Sequence, residues 1–396
     1  MTSDAAPTSL LRASHSHEDS RVGYAELFFD LVFVFAITQL SHSLLHHLSW
    51  KGLAETAFLF LAVWWVWVYT TWVTNWLDPQ RAPVRLMLFV LMLAGLLLSI
   101  SIPEAFGERS LLFAFAYVFM QVARSLFMCW ALWGKREANF RNFVRITVWL
   151  AFSGVFWIAG AFAEHELRYG LWGAALLIEY ISPSLGFWTP FLGRSTTMDW
   201  DVSGAHFAER CGLFMIIALG ESLLVTGATF AEIEWSGVSL SAFLVAFVGA
   251  VAMWWVYFDI GAERASVRIA KSDDPGRIAR LAYTYLHLPI VAGVILTAVS
   301  DELILAHPLG HMAPLAVLAI LGGPAVFLAG NLFFKRAVFG RFARSHMAGL
   351  VALAGAALAS PVAQPLSLAA FATLVLIVVG AWENVAVKGR GRLRAG

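Results

Sequence analysis

One apolar segment near the start of the chain carries several side chains that could do chemistry. Residues 25–47 contain Glu26, Asp30, Thr38 and His42 among many phenylalanines, valines and leucines. At 100° per residue in a helix these polar residues fall on one arc, and the opposite side is apolar. An ionisable group inside a bilayer costs about 2.5–3.5 kcal/mol by insertion scales, so such groups are functional candidates by default. The arc predicts a pathway-lining helix or, alternatively, one that hydrogen-bonds to neighbouring helices.

A second apolar segment, residues 206–230, begins with His206, Glu209 and Arg210 and carries Glu221 further along. At 1.5 Å per residue, Glu221 lies about 22 Å from the start of a helix that begins at His206. That depth is past the middle of a bilayer, where a side chain does not easily reach water. Glu221 is therefore the strongest single candidate for a transport or coupling residue.

Glycines surround this carboxyl group in the sequence. Gly220 precedes Glu221 directly, and Gly212 and Gly227 lie on either side. Glycine permits another helix to come close, or a local break in the helix that frees backbone groups for a ligand. Both readings are consistent with a site near Glu221.

Three more ionisable residues lie inside apolar segments. Arg124 stays charged and requires a partner, and we expect Asp30 to be that partner because the two lie at similar depth. Glu179 precedes Ser182-Pro183-Ser184, which predicts an interruption of its helix. His287 is a weaker candidate, since a lone histidine in the membrane is more often a packing residue.

Most of the histidines that lie near the ends of predicted spans fall on the external side of the membrane in the predicted topology. The pairs His42/His46 and His307/His311 have the i, i+4 spacing that can hold a metal. A metal site, an external pH sensor and ordinary surface histidines all remain open. Ordinary surface histidines are favoured over the other two, so we expect no metal. We find no sequence motif for a catalytic nucleophile, a phosphate loop or a metalloprotease, so we expect no catalytic residues and no cofactor, and an enzyme is the less favoured interpretation.

Composition places the chain in a membrane. Apolar residues make up 60% of its 396 residues and charged residues 13%, whereas soluble domains have about 45–50% and 25%. A formal net charge of +1 does not indicate the basic surface that nucleic-acid-binding proteins use. Two cysteines, Cys129 and Cys211, cannot support a disulfide framework. We attribute many of the 17 tryptophans to belts at the membrane interfaces.

Runs of about 20 apolar residues predict an all-α polytopic membrane protein with about twelve spans. The predicted spans are 25–47, 52–74, 84–102, 109–133, 142–163, 168–189, 206–230, 238–260, 278–299, 312–334, 345–359 and 365–387. When residues in the first four positions of a span are counted with the loop before it, 22 of the 27 Lys and Arg residues fall at the termini and in every second loop, and 3 in the other loops. Since positive charge marks the cytoplasmic side, both termini are predicted to be cytoplasmic.

The two halves of the chain contain a similar order of short sequence patterns. Alanine–glutamate pairs at 25–26 and 208–209 are each followed by a tryptophan-rich stretch, at 64–67 and 254–257. This predicts two parallel six-helix repeats related by an axis along the membrane normal. The predicted organisation is a polar N-terminus 1–24, repeat 1 at 25–189, a linker 190–205, repeat 2 at 206–387 and a basic tail 388–396.

The stretches ELFFDLVFVFAITQLSH, residues 26–42, and HFAERCGLFMIIALGES, residues 206–222, resemble the bacterial low-temperature-requirement protein A family. The resemblance extends from about residue 20 to 387. It implies a multi-pass inner-membrane protein and names no substrate. The residues that it marks are Glu26, Phe29, Asp30, His206, Glu209, Arg210, Gly220 and Glu221.

A fainter resemblance links FFDLVFVFAIT, residues 28–38, to the first helix of the lysosomal-type potassium channel family. Phe29 stands where that family has serine. The second half has Gly212-Leu213 at the matching place, so the aspartate is absent there, which argues against a symmetric filter.

Three functions compete. The first is a secondary transporter of a small solute or ion with a site near Glu221, His287 and Arg210. It would be proton-coupled through Glu221, because desolvation favours the protonated form of a carboxyl group. The second is a cation channel lined by the helices at 25–47 and 206–230. The third is an intramembrane enzyme or lipid-handling protein. The expected partners are membrane lipids and the solute, and assembly into a homo-oligomer stays open.

Overall fold

A computed structural model of the protein describes residues 9–12, 21–196, 202–259, 268–269, 272 and 274–395. Within these ranges the chain is helical with tight connections and forms no β-strand. The long helices are α1 Tyr24–His46, α2 Trp50–Trp76, α3 Ala82–Ser101, α4 Ser110–Leu132, α5 Glu137–Phe162, α6 His165–Ile181, α7 Gly204–Glu232, α8 Gly237–Tyr257, α9 Gly276–Ala306, α10 Pro314–Phe339, α11 Arg344–Ala359 and α12 Pro365–Ala395.

Each of the predicted spans coincides with one of these helices. Ten of the helices are long and apolar enough to cross a membrane. The other two, α6 with 17 residues and α11 with 16, are shorter than the roughly 20 residues of a straight span. The prediction of an all-α polytopic membrane protein is confirmed.

Helix α6 differs most from its predicted bounds of 168–189. It ends at Ile181 because Pro183 lacks a backbone N–H and cannot continue the hydrogen-bond ladder. Tight turns follow, with positive φ at Gly186 and Gly193. The interruption expected at Ser182-Pro183-Ser184 is therefore the end of the helix.

The chain divides into two compact units. The first comprises Met1–Ala36 and Leu61–Phe207, and the second comprises Ile37–Phe60 and Ala208–Gly396. Helices α1 and α2 thus contribute residues to both units. The predicted pair of parallel six-helix repeats stays a prediction.

Tryptophans form the core of the first unit. Trp65 stacks on Tyr180 with ring centroids 4.0 Å apart, and Trp157 lies 5.2 Å from Trp172. The indole N–H of Trp172 donates to the carbonyl oxygen of Trp157 at 2.8 Å. Trp64, Trp65, Trp67, Trp157 and Trp172 are all less than 2% exposed. These five residues are interior packing groups, whereas others, among them Trp50, Trp133 and Trp235, are exposed. The attribution of many tryptophans to interfacial belts stays a prediction.

Helices α9 and α10 approach each other closely in the second unit, because glycines lie at their contact. A Cβ atom on Gly293 would lie 2.5 Å from the backbone nitrogen of Phe327. One on Gly330 would lie 2.8 Å from that of Ile290. Close backbone approach through small residues is a typical way for membrane helices to pack. Helix α9 also contains a π-helical segment, Ala279–Tyr285, just before His287.

Candidate functional site

A buried ionic cluster lies in the first unit at the start of α1. The carboxylate of Glu26 accepts from His206 Nε2 to Oε1 at 2.9 Å and from Arg12 Nη2 to Oε2 at 3.1 Å. The backbone N–H of Gly23 donates to the same Oε2 at 2.8 Å. Glu26 and His206 are fully buried. We call Glu26, His206, Arg12 and Asn75 the Glu26 cluster.

Asn75 orients the histidine ring in this cluster and indicates its tautomer. Its Nδ2 donates to the Ser203 carbonyl at 2.9 Å, and its Oδ1 accepts from the Ser203 N–H at 2.8 Å. These bonds fix which end of the amide is the NH₂ group. That group lies 3.3 Å from His206 Nδ1, so Nδ1 accepts and the ring proton resides on Nε2, toward Glu26. Arg12 Nη2 also lies 3.2 Å from Nε2, and its guanidinium balances the charge of Glu26.

Arg12 comes from a segment that the sequence assigned to a polar tail. The backbone N–H of Arg12 donates to the carbonyl of Trp76 at 2.9 Å, and that of Asp78 to the carbonyl of Leu10 at 2.9 Å. Its side-chain Nε donates to the carbonyl of Thr74 at 3.1 Å. The N-terminal segment is thus held against the end of α2. Sequence reasoning missed Arg12 and Asn75, since neither is ionisable inside a predicted span.

Glu179 is the centre of a second buried network in the first unit. Its Oε1 accepts from Ser153 Oγ at 2.6 Å and from Trp157 Nε1 at 3.0 Å. Its Oε2 accepts from the Tyr117 hydroxyl at 2.5 Å and from Gln121 Nε2 at 3.0 Å. Four donors therefore converge on the two oxygens, which is the arrangement expected around a carboxylate.

Arg124 completes this network through Gln121. One guanidinium nitrogen donates to Gln121 Oε1, and another donates to Thr70 Oγ1 at 3.0 Å and to the Val66 carbonyl at 3.1 Å. The predicted pairing of Arg124 with Asp30 is wrong. Helix α2 supplies the acceptors instead, and the amide of Gln121 links the arginine to Glu179. Asp30, fully buried, accepts from the indole N–H of Trp67 at 2.8 Å.

Glu221 lies in the second unit with its carboxyl group against α1. The hydroxyl of Thr38 donates to Glu221 Oε1. Glu221 is half-buried. The bond directs the carboxyl group toward another helix, so two residues that the sequence selected independently are brought together halfway along α7.

The glycines around Glu221 do not have the role that we expected. Helix α7 is continuous through Gly220, so no break frees backbone groups there. A Cβ added at Gly220 or Gly227 would meet no described atom within 4 Å, and one at Gly212 would meet Phe258 at 3.5 Å. Gly220 and Gly227 therefore border open space instead of a tight helix contact.

The second part of α1 continues toward an acidic group. His42 and His46 follow Thr38 at intervals of four residues, and both are within electrostatic reach of Glu302 on α9. Glu302 is 9% exposed and its neighbour Asp301 7% exposed. Among the described residues, Glu302 Oε1 has no hydrogen-bond partner. Titratable groups thus follow α1 from its end to the level of Glu221.

His287 lies in an aromatic surrounding in the second unit. Its Nε2 is 3.3 Å from the Tyr257 hydroxyl, and its ring lies beside Tyr283 and Phe334 at centroid distances of 6.2 and 6.1 Å. It contacts α7 at Cys211. Ten residues of helix separate Cys211 from Glu221, about 15 Å. His287 therefore packs one to two helical turns or more from the level of Glu221, and a site that contains both stays a prediction.

Glu209 and Arg210 are neighbours on α7 with opposite environments. Glu209 is exposed, whereas Arg210 is fully buried. Their assignment to a transport pathway stays a prediction.

Sequence reasoning missed a third ionic cluster, which joins α10, α11 and α12. Lys335 Nζ donates to Glu383 Oε2, and His346 Nδ1 lies 3.3 Å from Glu383 Oε1. We counted Lys335 as a charge of a cytoplasmic loop, because it follows the predicted end of its span at 334. Helix α10 in fact continues to Phe339, so Lys335 is a helix residue and buried.

An apolar groove opens on the surface of α4 and α5. Its volume is about 890 Å³. It is lined by Phe115, Val118, Phe119, Val122, Ala123, Leu126, Ala151, Gly154, Val155, Ile158 and Ala159. In the parts of the chain that the structure describes, no group of three or more His, Cys, Asp or Glu residues is placed to hold a metal ion.

Long apolar helices with buried ionic clusters between them define a multi-pass integral membrane protein. The chain belongs to the bacterial low temperature requirement A protein family, LtrA, whose family model matches residues 21–381. It is 43% identical over 373 residues to the uncharacterized protein RA0937 of Rhizobium meliloti (strain 1021), a match that covers 94% of this chain and 91% of that protein. No solved structure matches.

Proposed function

We propose that the protein is a secondary transporter of a small solute or ion in the bacterial inner membrane, with both termini in the cytoplasm. In this proposal Glu221 couples transport to proton movement. The observation that carries it is the hydrogen bond from Thr38 to Glu221, since it holds an ionisable group of α7 against the polar side of α1. A half-buried carboxyl group at this depth is costly unless it has a role.

The line of titratable groups along α1 supports a route for protons. From Thr38, the histidines His42 and His46 continue on the same face, and Glu302 lies within electrostatic reach of both. Histidine can gain and lose a proton near neutral pH. Protons from the end of α1 would therefore reach Glu221 over short steps.

The space beside Gly220 and Gly227 is open, which would leave room for a solute next to the carboxyl group. A glycine at either position keeps that space clear. We expect the solute to contact α7 on this side, with the surrounding lipids sealing the outer face of the helices.

Transport in liposomes tests this function. Purified protein is reconstituted with a trapped pH dye, a proton gradient is imposed, and uptake from a panel of small ions and amines is measured. We expect saturable uptake that depends on the gradient. Glu221→Gln should fold and reconstitute normally yet lose the gradient dependence, whereas Glu232→Gln, at an exposed position on the same helix, should keep it. Uptake that is identical in wild type and Glu221→Gln would contradict the proposal, and non-saturable ion flux without coupling would favour the cation channel.

A lipid-handling protein is the second candidate, and the groove on α4 and α5 favours it. Its lining is apolar throughout, as an acyl chain requires. Movement of a fluorescent phospholipid between the leaflets of the same liposomes tests it. Ala151→Phe, at an exposed position of the groove lining, would narrow the groove without entering the contact between α4 and α5. Lipid movement that this substitution stops, in the absence of gradient-driven uptake, would replace the transporter by this function.

A further inference from the structure

The ionic cluster of α10, α11 and α12 is closely connected. Lys335 Nζ donates to Glu383 Oε2 and lies 3.3 Å from His346 Nε2. On the other side of the ring, His346 Nδ1 lies 3.3 Å from Glu383 Oε1, which also accepts from Ser345 Oγ at 3.1 Å. His346 is fully buried, and the side chains of Lys335 and Glu383 are 7% and 12% exposed. We call these four residues the Lys335 cluster.

The contacts determine the tautomer of His346. An ammonium group has three donors and no acceptor, so the ring nitrogen facing Lys335, Nε2, must accept. The ring proton is therefore on Nδ1, from which it points to Glu383. One positive and one negative charge are then balanced, and His346 is a neutral bridge between them.

A second proton on the ring does not fit this arrangement. It would occupy Nε2 and face the ammonium group of Lys335 at 3.3 Å, in a place with little water to screen the repulsion. The groups that face the ring from the packed helices are Lys335 on α10, Glu383 on α12 and Ser345 on α11 itself. Glu383 is already paired with Lys335, so it offsets only one of two positive charges.

We propose that His346 is a proton-binding site, separate from Glu221, and that uptake of a proton there releases α11 from α10 and α12. With the ring neutral the three helices are held together by the cluster. With the ring charged, Lys335 and His346 repel each other and α11 separates. The ligand of this site is a proton, and its effect is on the packing of one short helix.

Hydrogen exchange of α11 measures this release directly. The full-length protein in lipid nanodiscs is followed by mass spectrometry between pH 5 and 8, with rates corrected for intrinsic exchange. A free histidine binds a proton below about pH 6.5, and the closed cluster excludes it. The closed state is therefore fully stable above that pH, and the opening of Arg344–Ala359 should rise about tenfold per pH unit below it.

Four variants separate the role of His346 from other causes. In His346→Gln the increase in the opening of α11 at low pH should disappear, because the amide can bridge Lys335 and Glu383 without titrating. In Lys335→Met the rise should also disappear, since a charged ring would then pair with Glu383 alone. His307→Gln, at an exposed position outside the cluster, should behave as wild type, and so should Glu221→Gln, which makes the outcome independent of the transport proposal.

An unchanged rise in either His346→Gln or Lys335→Met would overturn the proposal, as would a flat wild-type profile. If His346→Gln does not fold, histidine ¹⁵N spectra of the native sequence at pH 8 provide the decision. They should contain one buried histidine with its proton on Nδ1 that Lys335→Met perturbs. A ring with its proton on Nε2 in that position would also contradict the proposal.

Discussion

The imidazole of His206 lies 2.9 Å from the carboxylate of Glu26, although 180 residues separate the two in the chain. The ring joins the start of α1 to the start of α7 within the first unit. Its tautomer is fixed from the far side by Asn75, and the charge of the carboxylate is balanced by Arg12. One residue from each of the two family signatures, Glu26 and His206, therefore belongs to the Glu26 cluster.

Removing the carboxylate should destabilise the protein strongly. Glu26→Ala leaves Arg12 without its buried partner, and breaking such a pair typically costs about 3–5 kcal/mol. Thermal unfolding followed by tryptophan fluorescence should show a clear fall in melting temperature. Glu55→Ala is the control, because its pair with Lys51 is solvent-exposed on the lysine side and such pairs are worth about 0–1 kcal/mol. Equal shifts in the two variants would mean that the Glu26 cluster contributes little to stability.

Arg124→Lys should also destabilise the protein, although the charge is kept. The guanidinium donates at once to Gln121, Thr70 and the Val66 carbonyl, and an ammonium group cannot reproduce that geometry. We expect a loss of about 2 kcal/mol, roughly the worth of one or two hydrogen bonds to a charged group.

A double-mutant cycle tests the link between Arg124 and Glu179. Arg124→Met and Glu179→Gln each remove one charge, so the double variant should lose less stability than the two single losses added together. The difference should exceed about 0.5 kcal/mol for groups in one network. Strict additivity in urea unfolding would show that Gln121 does not couple them.

The helices could be predicted from the sequence because a span is a local property. About 20 apolar residues in a row suffice, whatever they later contact. The partner of a buried polar group depends on how its helix is rotated about its own axis. The position of the residue along the span gives its depth in the membrane but not this rotation. Arg124 and Asp30 have similar depth, yet the guanidinium faces α2 and Gln121. Lys335 was missed for a related reason, since a lysine just beyond a predicted span is read as a topology signal and not as a buried ion pair.

The close contact of α9 with α10 predicts a position-specific effect on stability. A Cβ at Gly323 would lie 2.5 Å from Thr297 Oγ1 and 2.8 Å from its backbone nitrogen, whereas one at the neighbouring Gly322 would lie 3.5 Å from Leu318. Gly323→Ala must therefore push the helices apart, at about 1–3 kcal/mol. Gly322→Ala, on the same helix, should be neutral or slightly stabilising, because alanine favours helix. Melting temperatures of the two variants in one detergent provide the comparison.

The distribution of lysine and arginine predicts which residues are cytoplasmic. Tags at residue 2, near residue 270 and at residue 392 should be accessible only from the cytoplasm, and a cysteine at position 307 only from outside. Residues 2 and 270 lie outside the described residues, and labelling of intact cells reaches them equally well. A label at 307 that requires permeabilised cells, together with free access to 270, would contradict twelve spans.

Thr38 provides the sharpest test of the proposed coupling, since its hydroxyl is a donor to Glu221 and Thr38→Ser keeps that donor. Thr38→Val preserves the shape of the side chain and removes the hydrogen bond. A hydrogen bond to a charged carboxyl group is worth about 1.5–3 kcal/mol, so its loss should change the pH profile of uptake and lower gradient-driven uptake about tenfold at neutral pH. Thr38→Ser should stay close to wild type. Thr226→Val is the matched control, because its hydroxyl donates within α7, to the Ser222 carbonyl at 2.7 Å. If Glu221→Gln abolishes the pH dependence of uptake and Thr38→Val does not change it, the carboxyl group couples transport without the hydrogen bond from Thr38. A profile that neither substitution changes would show that the contact between α1 and α7 has no part in transport.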